Sequence, residues 1–93
     1  MKIETAKPDL INGTALVGAI TDVTYQQLVA AFGEPAGGDG YKTRVEWSVL
    51  IDGVIATIYD WKRPEPLEAV KIWNVGGRNQ SAVTAVRAAL EAA

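Results

Sequence analysis

The most regular alternation of apolar and polar residues lies between Thr43 and Lys62, TRVEWSVLIDGVIATIYDWK. Period-two alternation marks strands with one buried face. Asp52-Gly53 in its middle suits a type I′ hairpin turn, which needs positive φ at both central positions. With that pair at the bend, Ile51 faces Val54, Leu50 faces Ile55, Val49 faces Ala56 and Ser48 faces Thr57. Trp47 then faces Ile58, Glu46 faces Tyr59, Val45 faces Asp60 and Arg44 faces Trp61. One face collects Val45, Trp47, Val49, Ile51, Val54, Ala56 and Ile58, the expected core face. The other collects Arg44, Glu46, Ser48, Leu50, Ile55, Thr57, Tyr59 and Trp61, amphipathic and rich in aromatics for a face left in water.

A different period governs Tyr25, Leu28, Val29 and Phe32, which share one helical stripe. Thr24 and Gln27 form a capping box before it, and Gly33 and Pro35 stop it, so a helix is expected over Tyr25 to Phe32. A second stripe, Ala82, Val83, Val86, Ala89 and Leu90, predicts a last helix ending near Leu90 and capped by Asn79 or Ser81. Thr14 to Ile20 reads as a strand that Gly18 either weakens or marks with a bulge, and Ala69 to Val75 as a strand ended by Gly76-Gly77. Residues 1–13 read as a loose N-terminal arm and then a turn, Ala36 to Gly40 as a flexible connector, and Arg63 to Glu68, with two prolines, as a loop or a stiff extended link.

The order β-α-β-β-β-α gives the α+β class. We expect one domain over residues 1–93, a four-stranded, mainly antiparallel sheet with two helices packed on one face. The opposite face would stay open to water, as antiparallel sheets allow.

Composition narrows the chemistry. The chain has no cysteine, which excludes disulfides, zinc–thiolate sites and thiol nucleophiles. It has no histidine, which removes the commonest general base and metal ligand. The serines and threonines therefore have no such base to activate them, and no enzyme, cofactor or metal is expected. A net charge of −2 argues against a dedicated nucleic-acid binder while leaving room for a local basic patch. The N-terminus, MKIETAKPDL, lacks the apolar run of a signal peptide and no stretch has the length of a membrane span, so a cytoplasmic protein without a membrane partner is expected.

The stretches TYQQLVAAFGEP, VEWSVLIDGVIATIYDWK and WNVGG resemble a family of small, uncharacterised proteins encoded by bacteriophages, notably those of actinobacteria, and by mobile elements. The resemblance spans about Thr24 to Gly77, and Val45 to Lys62 is its most specific part. Members carry histidine after the last tryptophan; this chain has Asn74, so no imidazole role is implied there. The resemblance implies a phage or mobile-element origin, a host-cell cytoplasmic location and no particular activity. The order of helix, Gly-x-Pro, Trp-bearing strand and Asp-Gly hairpin is also similar to domains of the β-lactamase-inhibitor-protein type, which bind proteins on a sheet face.

Four candidate sites follow. The first is a partner-binding face of Arg44, Leu50, Ile55, Tyr59 and Trp61, joined by Trp73 if Val70 and Ile72 point inward. The bland alternatives are cross-strand stabilisation, with Arg44 stacked on Trp61, and coverage of the face by the N-terminal arm. The second is a basic end, Lys42, Arg44, Lys62 and Arg63 beside Tyr41 and Trp61, suited to a nucleotide or single-stranded nucleic acid. Glu46, Asp60, Glu65 and Glu68 lie close by and would weaken its field, which favours a solvated mixed-charge surface. The third, Gly76-Gly77-Arg78 before a helix, matches no phosphate-loop pattern and reads as a turn. The fourth is carboxylate chemistry, where Asp60 alone lies near the core face and reads as a salt-bridged rim residue.

The leading functional expectation is a non-enzymatic module that engages a host protein through its sheet face or an edge strand, modulating a host process or defence. A nucleotide or nucleic-acid binder is the alternative. A homodimer through apolar sheet faces is the purely structural arrangement.

Overall fold

The computed structural model describes all 93 residues. Its elements are β1 (Ile3–Thr5), β2 (Ala15–Thr21), α1 (Tyr25–Phe32), β3 (Ala36–Gly37), β4 (Val45–Ile51), β5 (Val54–Tyr59), β6 (Ile72–Gly77) and α2 (Ser81–Ala92). Short 3-10 turns occupy Pro8–Ile11 and Leu67–Ala69. All strand pairs are antiparallel, in the order β1-β4-β5-β6-β2, with β3 also on β4. The α+β class holds, but the sheet has six strands, not four. The added strands, β1 and β3, lie end to end along the outer edge of β4, at Val49–Ile51 and Val45–Glu46 respectively.

The hairpin has the expected register from Ile51↔Val54 to Glu46↔Tyr59. Asp52 and Gly53 take φ of 48° and 83°, the positive pair that the turn requires. Val45, Trp47, Val49, Ile51, Ala56 and Ile58 enter the core with Leu28 of α1 and Ala82, Val86 and Ala89 of α2. Val54, beside the turn, is only half-buried. Helix α1 has the expected bounds and its reciprocal cap. Thr24 Oγ1 accepts from the Gln27 N–H, and Gln27 Oε1 from the Thr24 N–H.

Residues 1–13 are not a loose arm. β1 extends the sheet, and Lys2 and Asp52 exchange hydrogen bonds across the turn. The following 3-10 turn crosses the face opposite the helices and packs on β5 before β2 begins at the far edge. The face expected to lie open is therefore strapped.

The bulge in β2 falls between Leu16 and Gly18, as the glycine suggested. A Cβ at Gly18 would stand 2.9 Å from Val83 Cγ2 of α2, so the glycine also lets helix and strand approach.

Candidate functional site

Trp47 and Trp61 point in opposite directions, one 2% and the other 42% exposed. Trp73 is a correction. It is fully buried, while Ile72 is 39% exposed. The condition that Val70 and Ile72 both point inward needs them on one strand, but the 3-10 turn at Leu67–Ala69 delays β6 until Ile72. Val70 is buried ahead of the strand, so its inward orientation does not set the strand's parity.

The rest of the expected partner-binding face is also dispersed. Ile55 is buried on the strapped side at 7% exposure, another correction. Thr57 beside it is buried too, and Leu50 and Tyr59 are half-buried. Arg44 is exposed but committed. Its Nε lies 2.7 Å from Asp60 Oδ2, and its Nη1 donates to the Glu65 carbonyl at 2.7 Å. It therefore ties the strand entry to the proline-containing loop.

Asp60 is fully buried, not at a rim. Its Oδ1 accepts the backbone N–H groups of Arg44 and Val45, and its Oδ2 pairs with the Arg44 guanidinium. The burial is explained by parity, since Asp60 continues the inward series Ala56, Ile58. The single cation and two N–H donors compensate the buried charge.

The basic end does assemble. Tyr41, Lys42, Arg44, Lys62, Arg63 and Pro64 line an open concavity of about 480 Å³. The Lys62 N–H donates to the Lys42 carbonyl at 2.8 Å, which brings the two stems together. Lys42 Nζ lies 5.3 Å and Lys62 Nζ 5.9 Å from the centroid of the Trp61 ring, within cation–π range. Lys42 Nζ also lies 5.8 Å from the Tyr41 ring, and Tyr41 is 86% exposed. The chain's two ion pairs are Lys2–Glu4 and Arg44–Asp60, so Lys42, Lys62 and Arg63 have no carboxylate partner.

On the other side of Trp61 lies an acidic groove of about 390 Å³ on the outer sheet face, with Asp39, Thr43, Glu46, Thr57 and Tyr59 in its lining. Tyr59 and Trp61 meet edge to face with centroids 6.2 Å apart. Burial, and then the charge of Asp39, raise the carboxyl of Glu46 above its usual range. Burial, and then Glu46, push the Tyr59 phenol up, with the Asn74 amide opposing.

The connector before β4 is an organised loop. Asp39 Oδ1 accepts the N–H groups of Tyr41, Lys42 and Thr43 at 2.8, 2.8 and 3.0 Å. The N–H of Thr43, then those of Tyr41 and Lys42, bring the Asp39 carboxyl down to about 2. An aspartate two residues before its first donor is the sequence signal for such a loop.

Gly76 and Gly77 are the last two residues of β6, which runs through them and does not stop at Val75. A Cβ on Gly76 would collide with Thr57 Oγ1, and one on Gly77 with Cβ of Ala82. These glycines serve close packing.

No family model, curated protein or solved structure matches the chain. No helix is long and apolar enough to cross a membrane.

Proposed function

We propose that the protein is a non-enzymatic binding module of phage or mobile-element origin that engages a host protein in the host cytoplasm. The surface is the end of the hairpin, Tyr41, Lys42, Trp61, Lys62 and Arg63, in place of the strapped sheet face. One observation carries this reading. Trp61 and Tyr41, at 42% and 86% exposure, stand beside three basic side chains that no carboxylate neutralises. Large aromatic and cationic side chains left in water at one end are the usual anchors of protein interfaces. The non-enzymatic part rests on the lack of histidine and cysteine, and on the use of Asp60 to hold Arg44. Interference with a host process such as defence is the role that fits this origin.

The test is capture from host lysate with wild-type protein and with Trp61→Ala. Loss of one captured protein with Trp61→Ala, at unchanged melting temperature, supports the reading. Equal capture by both forms refutes it.

A second reading, a nucleotide or nucleic-acid binder, is favoured by the concavity that gathers Lys42, Arg44, Lys62 and Arg63. It requires affinity for an oligonucleotide that falls steeply with salt.

A further inference from the structure

Trp61 stands between two surfaces of opposite sign. Lys42 and Lys62 approach its ring from the basic concavity, while the same residue lines the groove that holds Asp39 and Glu46. From this, and resting on the protein-binding reading above, we infer that the partner is a bipolar polypeptide segment. Its carboxylates meet Lys42, Lys62 and Arg63, and a basic side chain follows on the Glu46 side of Trp61.

Two observations favour a polypeptide over a nucleic acid. First, Arg44, the guanidinium nearest the hairpin, is already held by Asp60 and the Glu65 carbonyl. It positions the loop that presents Lys62 and Arg63, and its fork is not free to clasp phosphate. Second, a nucleic-acid backbone is negative along its length. A strand leaving the concavity past Trp61 would meet Glu46 and Asp39, and the chain's net charge of −2 adds to that repulsion. A peptide can change sign over the same distance.

Lys42 Nζ and Lys62 Nζ both lie within cation–π range of the Trp61 ring, and neither is paired with a carboxylate, so both can take one from a partner. Glu46, half-buried and without a paired cation, would be stabilised in its charged form by a positive group. Complementary charge of this kind fixes register and speeds encounter.

Three fluorescently labelled probes test this on the full chain: a block peptide of glutamates followed by lysines, an oligoglutamate peptide, and a single-stranded oligothymidylate. The block peptide is expected to bind most tightly. Lys42→Glu with Lys62→Glu should weaken it about tenfold or more, and Glu46→Lys should remove its advantage over oligoglutamate. All three positions are on the surface or half-buried, and an unchanged melting temperature confirms that the variants fold. Tightest binding by oligothymidylate overturns the inference in favour of nucleic acid. Equal binding of the two peptides overturns its bipolar part. If a host protein is captured alike by wild type and by the Lys42→Glu, Lys62→Glu variant, the inference fails and the protein-binding reading survives. If wild type captures no host protein while the block peptide binds as expected, that reading fails and the charge preference stands.

Discussion

The indoles of Trp47 and Trp73 meet edge to face, 5.7 Å between centroids at 78°, and grip opposite ends of one helix. Trp73 Nε1–H donates to the Val23 carbonyl just before α1, and Trp47 Nε1–H to the Gly33 carbonyl just after it, both at 2.8 Å. Tyr25, on the first turn of α1, lies 5.9 Å from one ring and 6.4 Å from the other. The short helix α1 is thus fixed to β4 and β6 by ring packing and by two backbone bonds.

Removing either anchor should therefore be costly. Trp47→Ala and Trp73→Ala should each lose about 3–5 kcal/mol in urea unfolding. Trp73→Phe keeps the packing but leaves the Val23 carbonyl without its donor, and should lose about 1–3 kcal/mol. Trp61→Ala, on the exposed side, should lose under about 1 kcal/mol. Equal losses at 47 and 61 would contradict the assignment of faces.

The Arg44–Asp60 pair gives a second expectation. Arg44→Ala leaves a fully buried carboxylate with backbone donors alone and should lose about 3–5 kcal/mol. Arg44→Lys cannot both pair with Asp60 and reach the Glu65 carbonyl, so it should rescue only part of that loss. Chemical unfolding at neutral pH measures both.

Two carboxyls act in opposite senses on pH stability. The folded carboxyl of Glu46 is raised above its ordinary value of 4.5, so the folded state holds the proton more firmly. Its contribution is favourable in acid and is lost as pH rises through and above that value. Glu46→Gln should raise the melting temperature at neutral pH and leave it unchanged near pH 3. Asp39 is lowered from 3.8 to about 2, so its contribution is present at neutral pH and fades between those values as pH falls. Asp39→Asn should lower the melting temperature at neutral pH, with the difference closing toward pH 2. Melting curves across this range decide both signs.

The glycines separate by their surroundings. Gly77→Ala would drive a methyl into Ala82 of α2 and should lose about 1–3 kcal/mol. Gly37→Ala meets nothing within 4 Å and should be close to neutral. A stable Gly77→Ala would mean that α2 sits farther from β6 than described.

The local features were legible in sequence. The hairpin register followed from Asp52-Gly53 and α1 from its capping box and stop, and the bulge is one of the two readings that Gly18 allows. These depend on residues within one turn or on adjacent strands. What escaped depends on distant pairing. β1 is three residues long, and its partner strand lies more than forty positions away in Val49–Ile51. β3 is two residues, too short to show a period. The strap over Ile55 and the inward turn of Trp73 both depend on 3-10 turns, at Pro8–Ile11 and Leu67–Ala69, which reset the chain without a periodic signal. In the candidate site, the basic cluster was legible from the hairpin register. That Asp60 is salt-bridged was expected, but not that its partner is Arg44, because strand alternation does not say which cation reaches a carboxylate.

The most direct test of the hairpin end as a binding surface is a calorimetric titration of the captured host protein into wild type and into Trp61→Ala. The expected result is an affinity about tenfold lower or more for the variant, with its melting temperature unchanged. Equal affinities, or a loss of binding that appears only where the variant unfolds, would contradict it.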